Sequence, residues 1–427
     1  MKVLVIGSGG REHALAWKLS KSNLVSEIFV APGNGGTEIE ESIKNIDIDS
    51  NDLDRLLDFA EQSSIDLTIV GPEDPLVNGV TDKFQNKGFL CFGPSKDAAR
   101  LEGSKEFMKD FLLRHDIPTA SYKTFTDSKK AISYIKEQGC PIVIKADGLA
   151  AGKGVTVASS ISQATEAINQ SLNSKAFGDA GSKIVIEEYL EGEEASFIVL
   201  TDGNVVIPFA SSQDHKAKEN GDLGPNTGGM GAYSPAPVVT EFVHEKILKE
   251  VIYPTVEGLK SEGYDYCGFL YAGVMVDSNQ NIKVLEFNCR FGDPETQPIM
   301  MRLKTDLAEL CLKACKKELS DEDLDWDDRK SLGVVMASGG YPANYEKGNI
   351  IEGIPDEAED IKVFHAGTTY QEGNIKTNGG RVLCVTTLGE SVLLAQKKAY
   401  DAISNISWKE CFYRNDIGYR AIEREEN

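Results

Sequence analysis

The segment Val284-Leu-Glu286-Phe-Asn288-Cys-Arg290 sets polar residues at every second position between apolar ones. In an extended strand alternate side chains share a face, so Glu286, Asn288 and Arg290 are expected to project together. Oxygens from Glu286 and Asn288 suit a hard Mg²⁺ bridging phosphates, and Arg290 suits a phosphoryl group in transfer. The plainer reading is an exposed strand face. Upstream, Lys145 ends an apolar run and precedes Asp147-Gly-Leu-Ala-Ala-Gly152-Lys153-Gly154, after which a second apolar run begins. A glycine-rich turn between two strands can lie over a polyphosphate, its backbone N–H groups donating while Lys145 and Lys153 supply charge. It lacks the following helix and the Lys-Ser/Thr pair of a Walker loop, and taken alone it also fits a solvated hairpin turn. Between the two lies Ile184-Val-Ile-Glu187-Glu188-Tyr189-Leu190, then Glu191, Gly192, Glu193 and Glu194. A strand-end backbone there can pair with an adenine edge while one acid accepts from ribose hydroxyls. Otherwise the acidic run is a solvated face.

A further glycine cluster, Gly7-Ser8-Gly9-Gly10-Arg11-Glu12, stands between a strand and a helix, where bare backbone amides can meet a phosphate at the helix N-terminus. The dinucleotide fingerprint is broken: Glu12 replaces its third glycine, and the next strand ends in Ala31-Pro32-Gly33-Asn34 without the acid expected at a ribose. Apart from a merely tight turn, the reading left is a pocket for a smaller phosphorylated ligand, favoured because Gly33-Asn34-Gly35-Gly36 and Gly71-Pro72-Glu73-Asp74 follow later strands and all three loops are expected at one carboxyl edge.

The elements that must carry these groups are legible in outline. Strands are expected at Val3–Ile6, Ile28–Val30, Leu67–Val70 and 89–92, with helices from Arg11 and over Leu53–Gln62, which together read as an open parallel sheet. From Ser104 a helix leads into a small α/β lobe holding Ile142–Ile144, Val155–Ala158 and Ile184–Ile186. Hairpins are expected over Ala195–Ala210, turning at Asp202-Gly203, and over Gly268–Phe287, turning near Ser278–Asn281. A helix over Thr296–Lys317, the acidic stretch Ser320–Asp328 and a last α/β region from Leu332 complete the chain.

At 427 residues the chain exceeds what one core usually serves, and several packed domains are expected. With 45 basic and 67 acidic residues its formal charge is −22, which disfavours nucleic acid and anionic membranes and demands a local positive site for any phosphate. The opening apolar run is cut short by Gly7, Arg11 and Glu12, unlike a signal peptide. The eight cysteines lack zinc-site spacing; Cys311 and Cys315 share a helix face without a second pair, and all are read as reduced core thiols of a cytoplasmic protein. The five histidines show no metal or triad spacing, and His215 alone lies inside a motif.

The order Lys105, Lys145, glycine loop, Glu187 to Leu190, Glu286-x-Asn288-x-Arg290 resembles the ATP-grasp superfamily. GSGGREHALAWKL at Gly7, APGNGGT at Ala31, GPEDPL at Gly71, IKADGLAAGKGV at Ile144, QDHKAKENGDLGPNTGGMGAYSP at Gln213 and EFNCRFGDPETQ at Glu286 are together similar to the phosphoribosylamine–glycine ligase family, from residue 1 to about residue 390. Gly379-Gly380-Arg381-Val382-Leu383 fits as well. The resemblance implies an α/β and α+β multidomain fold: an N-terminal open parallel α/β domain (1–103), an ATP-grasp body (104–121 and 194–325), a lid (122–193) and a C-terminal α/β domain (326–427) packed beside the first. It implies ATP as co-substrate with Mg²⁺ or Mn²⁺, and glycine and 5-phosphoribosylamine as substrates, on a monomer or weak homodimer. By position, Lys105 and Lys145 belong to the phosphates together with Gly152, Lys153 and Gly154. Glu187 and the Tyr189-Leu190 backbone belong to adenine, Glu194 to ribose, and Glu286 and Asn288 to the metal. Many ATP-grasp enzymes carry another metal acid about 13 residues before the strand glutamate, where Gly273 stands here. Arg290 is expected to stabilise developing charge, Asp214 and Asp293 to hold the glycine ammonium, and Lys216 to neutralise a phosphate or carboxylate. Gly9, Gly10, Arg11, Glu12 and Asn34 are expected around the sugar phosphate. A sister carboxylase or formate-using synthetase would share the nucleotide site, and a nucleotide-binding module without catalysis would leave Glu286-x-Asn288-x-Arg290 unexplained.

Overall fold

The computed structural model describes residues 1–149, 154–174 and 178–426. The run Lys2–Gly7 has no polar residue after Lys2, and a strand without alternation buries both faces. It sits at the centre of a parallel sheet in the order Ile43–Asn45, Glu27–Pro32, Lys2–Gly7, Leu67–Val70, Cys91–Phe92. The connections run to one side of Lys2–Gly7 first and then cross to the other, so the loops after Lys2–Gly7 and Leu67–Val70 open together at a topological switch point. The strand expected over 89–92 is only Cys91–Phe92.

The two expected hairpins form one antiparallel sheet in the order Val206–Pro208, Glu193–Thr201, Gly268–Val276, Ile282–Asn288. At the first turn Gly203 adopts φ +86°, while Asp202 accepts hydrogen bonds from the N–H groups of Asn204 and Val205. A separate antiparallel sheet holds Tyr122–Phe125, Ile184–Glu188, Ile142–Ala146 and Val155–Ala158 in that order, with the helices Ser128–Gln138 and Ile161–Ile168 closing its own small core.

The C-terminal sheet runs Gln213–Asp214, Gly231–Ser234, Lys330–Ala337, Arg381–Gly389, Ile361–His365. Its first two strands come from the glycine-rich motif at Gln213, which begins more than a hundred residues before the rest of that sheet. The helix expected over Thr296–Lys317 is two helices, Thr296–Arg302 and Leu307–Lys316. Leu303 turns extended, and Asp306 starts the second helix by accepting from the N–H groups of Ala308 and Glu309. Thr296–Arg302 is buried throughout and packs against the helix Gly10–Leu19 and the strands Lys330–Ala337 and Arg381–Gly389, joining N- and C-terminal units. Among the described residues no helix is long and apolar enough to cross a membrane.

Candidate functional site

The N-terminal loops interlock through their own polar groups. Asn34 heads the helix Gly35–Ile39: its Oδ1 accepts from the N–H groups of Gly36 and Thr37, and its Nδ2 donates to the carbonyls of Ser8 and His365. Expected beside substrate, Asn34 is instead buried with both ends of its amide engaged, so it holds the loops. Glu12, expected near the ribose, is likewise internal: its carboxylate accepts from Gly9 N–H at 2.5 Å and Arg11 Nε at 2.6 Å. A Cβ on Gly71 would stand 2.1 Å from Glu12 Oε1, and one on Gly10 2.6 Å from Gln297 Nε2, so both positions admit nothing larger than glycine without displacing a neighbour. Gly9 borders Asp293, whose Oδ2 would lie 3.5 Å from a Cβ placed there.

Two lysines meet one acid at the edge of the small sheet, and a third lysine bonds the loop beside them. Glu187, at the end of Ile184–Glu188, is buried, with Oε2 3.0 Å from Lys109 Nζ and 3.1 Å from Lys145 Nζ. Its Oε1 is buried without a hydrogen-bond partner, an acceptor still to be used. Lys145 also donates to the carbonyl of Leu285, and Lys105 donates to that of Gly148. Burial lowers Lys105, and lowers Lys109 to about 8 against the attraction of Glu187. Gly154 closes the glycine-rich turn, its carbonyl accepting from Ala146 N–H, while Gly152 and Lys153 lie outside the described residues. Tyr189 is exposed.

Glu286 and Asn288 stand on the strand Ile282–Asn288, beside a bulge at Leu285. Burial works against the Glu286 carboxylate, but Lys216, Lys145, Lys105 and Arg290 hold it down to about 2. The strand ends at Asn288, so Arg290 is not placed by the pleat as the period-two pattern predicts. Acids from other units place it instead: its Nε lies 3.1 Å from Glu73 and its NH2 2.8 Å from Glu102. Burial raises Glu102 to about 7 against the pull of Arg290, while Glu73, pushed up by burial, is brought down to about 2 by Arg290 and Arg11. Arg11 is buried and donates to the carbonyl of Phe291, so both arginines line the border between the N-terminal loops and the body.

Lys216 pairs with Glu194 and lies 3.6 Å from Glu286. Burial alone would lower Lys216, yet Glu194, Glu286 and Asp214 raise it; Asp214 is itself raised by burial and by Glu295 against the pull of Lys216. Ser196 Oγ donates to Glu295 Oε1 at 2.9 Å and contacts Tyr271 Oη at 2.9 Å. Asp293 has different company. Arg381 NH2 lies 3.0 Å from its Oδ2 and Gln297 donates to its Oδ1, and although burial opposes its charge, Arg381 and Arg11 hold it below the usual range. The two acids that the sequence reading puts at one ammonium thus have different charged partners.

Sequence reasoning missed Lys109, Glu73, Glu102, Glu295, Gln297 and Arg381. Lys109 had a signal, four residues after Lys105 on one helix and hence on the same face. Glu73, Glu295 and Gln297 lie inside quoted motifs, but nothing in the spacing distinguishes them from their neighbours. Among the described residues no group of three or more His, Cys, Asp or Glu could hold a metal, so a cation at Glu286 and Asn288 would need oxygens from its ligand. All eight cysteines are free, and Cys311 and Cys315 gather no metal set.

Three family models match in succession: phosphoribosylglycinamide synthetase N domain over residues 1–102, its ATP-grasp (A) domain over 103–296, and its C domain over 331–420. The phosphoribosylamine–glycine ligase of Escherichia coli K12 is 60% identical, and that of Vibrio parahaemolyticus 59% identical, each over the whole of both chains. The crystal structure of the Thermotoga maritima phosphoribosylamine–glycine ligase superposes with a TM-score of 0.85 at 31% identity, over 98% of this chain and 100% of that one. The biotin carboxylase domain of the Hydrogenobacter thermophilus 2-oxoglutarate carboxylase, solved with MgADP and bicarbonate, shares the fold at a TM-score of 0.74 and 17% identity, over 96% and 91% of the two chains.

Proposed function

The chain belongs to the phosphoribosylglycinamide synthetase family, and from that premise we propose how its residues carry out the ATP-dependent joining of glycine to 5-phosphoribosylamine. It is a carbon–nitrogen ligase of purine biosynthesis, giving glycinamide ribonucleotide, ADP and phosphate. The observation that carries the site assignment is that Lys216 lies 3.6 Å from Glu286 and Lys145 donates to the carbonyl of the adjoining Leu285, while Lys105 and Arg290 are near enough to favour the Glu286 carboxylate as well. Four cations around one ionised carboxylate suit a polyphosphate with its metal.

ATP lies between the body and residues 122–193, which act as the lid; the body comprises 104–121 and 194–325, flanked by 1–103 and 326–427. Lys105 and Lys145 bind its phosphates together with the turn Gly152 to Gly154, and Glu194 takes the ribose. The Tyr189-Leu190 backbone pairs with adenine, and the unused Oε1 of Glu187 accepts from the exocyclic amine. Glu286 and Asn288 fit Mg²⁺ or Mn²⁺ in their oxygen chemistry, and such an ion when bound neutralises phosphate charge.

Glycine lies with its ammonium at Asp214 and Glu295, a reassignment from Asp293 that follows from the neighbours of each. Its carboxylate oxygen attacks the γ-phosphorus, and the bond to the bridging oxygen breaks, leaving ADP and glycyl phosphate. The amine of phosphoribosylamine then attacks the acyl carbon, the C–O bond to phosphate breaks, and the amine loses a proton. Arg290 and Lys216 face the charge that develops in these steps. The sugar phosphate meets the loops at Gly9, Gly10 and Gly35, where the absent side chains leave room for it, with Arg11 and Asp293 at its border. Lid closure keeps water from the acyl phosphate. Eight free thiols suit a reducing, cytoplasmic compartment.

Coupled ADP release with MgATP, glycine and freshly generated phosphoribosylamine, each omitted in turn, tests this reading. Turnover should require all three; turnover with bicarbonate or formate in place of glycine would remove the substrate assignment.

A further inference from the structure

The segment that carries Asp214 and Lys216 is fastened from behind by the far C-terminus. After Lys216 the chain forms a ribbon of Ala217–Glu219 and Leu223–Asn226, whose tip is exposed. At its turn Asp222 adopts φ +56°, a left-handed conformation that costs an aspartate energy unless its surroundings hold it. The surroundings supply three donors: Arg414 NH1 and Tyr419 Oη approach its carboxylate at 2.8 and 2.7 Å, and Arg420 NH2 joins them.

Arg414 is almost wholly buried, at 1% exposure, although it is charged. Every side of its guanidinium is used: it forks onto Asp416 with two contacts of 2.8 Å, donates to the carbonyl of Ala217 at 3.1 Å, and bonds Asp222. Asp416 in turn accepts from Gly221 N–H at 2.7 Å, and Asn220 Oδ1 accepts from Asn415 N–H at 2.9 Å. On the other side of Lys216, His215 is buried and its Nε2 accepts from Gly418 N–H at 2.9 Å, which assigns the ring proton to Nδ1, facing Asp222. Two residues further back, Gln213 donates to the carbonyl of Glu194, and Glu193 pairs with Arg424. His215, Ala217, Asn220, Gly221 and Asp222 thus meet residues 414 to 420, on both flanks of Lys216.

None of these C-terminal residues meets the substrates in the site just proposed, and a buried guanidinium with its acids is a poor source of stability compared with apolar packing. Its planar fork fixes direction, which a lysine or an apolar residue cannot do. We propose that residues 414–424 are a clamp that positions Asp214 and Lys216, with Arg414 and Asp222 as its positioning residues. The clamp sets affinity for glycine and MgATP and leaves the sugar-phosphate loops untouched, because those are held by Asn34 and Glu12. This rests on the placement of glycine and ATP proposed above.

The test is steady-state kinetics of full-length Arg414→Met, Arg414→Lys, Asp222→Asn and the Met/Asn double variant, with each substrate varied. For Arg414→Met the KM values for glycine and MgATP should rise about tenfold, since small displacements of positioning groups cost that much or more. The KM for phosphoribosylamine should stay within about twofold, Arg414→Lys should recover only part, and the double variant should cost less than the two single effects combined, as for residues that share a contact. Equal changes in all three KM values, or no change in any, overturns the clamp. If Arg414→Met does not fold, the half-exposed Asp222→Asn decides by the same split. Wild-type enzyme that fails to turn over with the three substrates would sink the parent reading; normal wild-type turnover with unsplit variants sinks the clamp alone.

Discussion

The N-terminal loops and the proposed ATP cleft under residues 122–193 both face phosphate groups in the proposed reaction, and they are built in opposite ways. In the loops the polar side chains are spent internally: Asn34 ties three backbone segments together, and Glu12 takes the donors of Gly9 and Arg11. What remains for a ligand is backbone amide and shape. In the cleft Lys109 and Lys145 share one Glu187 oxygen, Lys216 is paired with Glu194, and Arg290 stands between Glu73 and Glu102. Those cations are poised by acids that a polyphosphate can replace, whereas the loops have nothing to exchange. A site that holds a constant sugar phosphate uses rigid shape, and one whose charges move during reaction uses pairs that can be redistributed.

Removing a charge from the cleft should cost rate. Arg290→Ala should lower kcat by about 10²–10³-fold, the effect of losing one preorganised transition-state donor; near-normal turnover in purified variant would take Arg290 out of the chemistry. Changing shape in the loops should cost binding instead. In Gly10→Leu the new Cβ falls 2.6 Å from Gln297 Nε2, so KM for phosphoribosylamine should rise about tenfold or more while KM for MgATP holds. An ATP effect of equal size would erase the distinction between the two regions.

Lys109→Met asks whether the paired lysines are interchangeable. Glu187 keeps Lys145, so the loss of stability should be roughly 1–3 kcal/mol, below the cost of an unpaired buried charge, and is read from denaturant unfolding. A neutral result would show that Lys145 alone satisfies Glu187. The smallest effect is expected behind the loops, where Glu40 meets His13 at 3.2 Å and Lys362 at 2.5 Å. Burial raises Glu40, but hydrogen bonds from His13 and Lys362 hold it near 2, below its ordinary 4.5. Its contribution is therefore complete above pH 4.5 and lost as pH falls from 4.5 toward 2. Allowing for solvent screening it is roughly 1–2 kcal/mol. The difference in unfolding free energy between wild type and Glu40→Gln should be full at pH 5.5, clearly smaller at pH 3 and gone only near pH 2; a constant difference would place the effect elsewhere.

The local elements were legible because their signals are local. Continuous apolar runs marked Lys2–Gly7 and Leu67–Val70, and a turn at Asp202-Gly203 marked the first body hairpin. Lys145 and Glu187 were singled out at strand ends, Glu286 by alternation and Lys216 by the motif at Gln213; in the fold Lys145 pairs with Glu187 and Lys216 lies near Glu286. The break at Leu303 was hidden, since Asp306 is a helix cap only if the preceding helix stops. Arg290 was placed by alternation, but the strand ends two residues earlier and its direction comes from Glu73 and Glu102 in other units.

The sequence by itself determined which residue types could meet phosphate, the alternation that makes a strand, the glycines that make tight loops, and the family. Only the tertiary structure decided which of those groups are free for a ligand. Asn34 and Glu12 read as substrate residues until their partners are seen, Asp214 and Asp293 read as one pair until their neighbours divide them, and the motif at Gln213 proves to be two strands of a sheet completed a hundred residues later. The reason is physical: spacing along the chain encodes faces and turns over a few residues, while the engagement of a hydrogen bond or a charge depends on groups that only the folded chain brings within 3 Å.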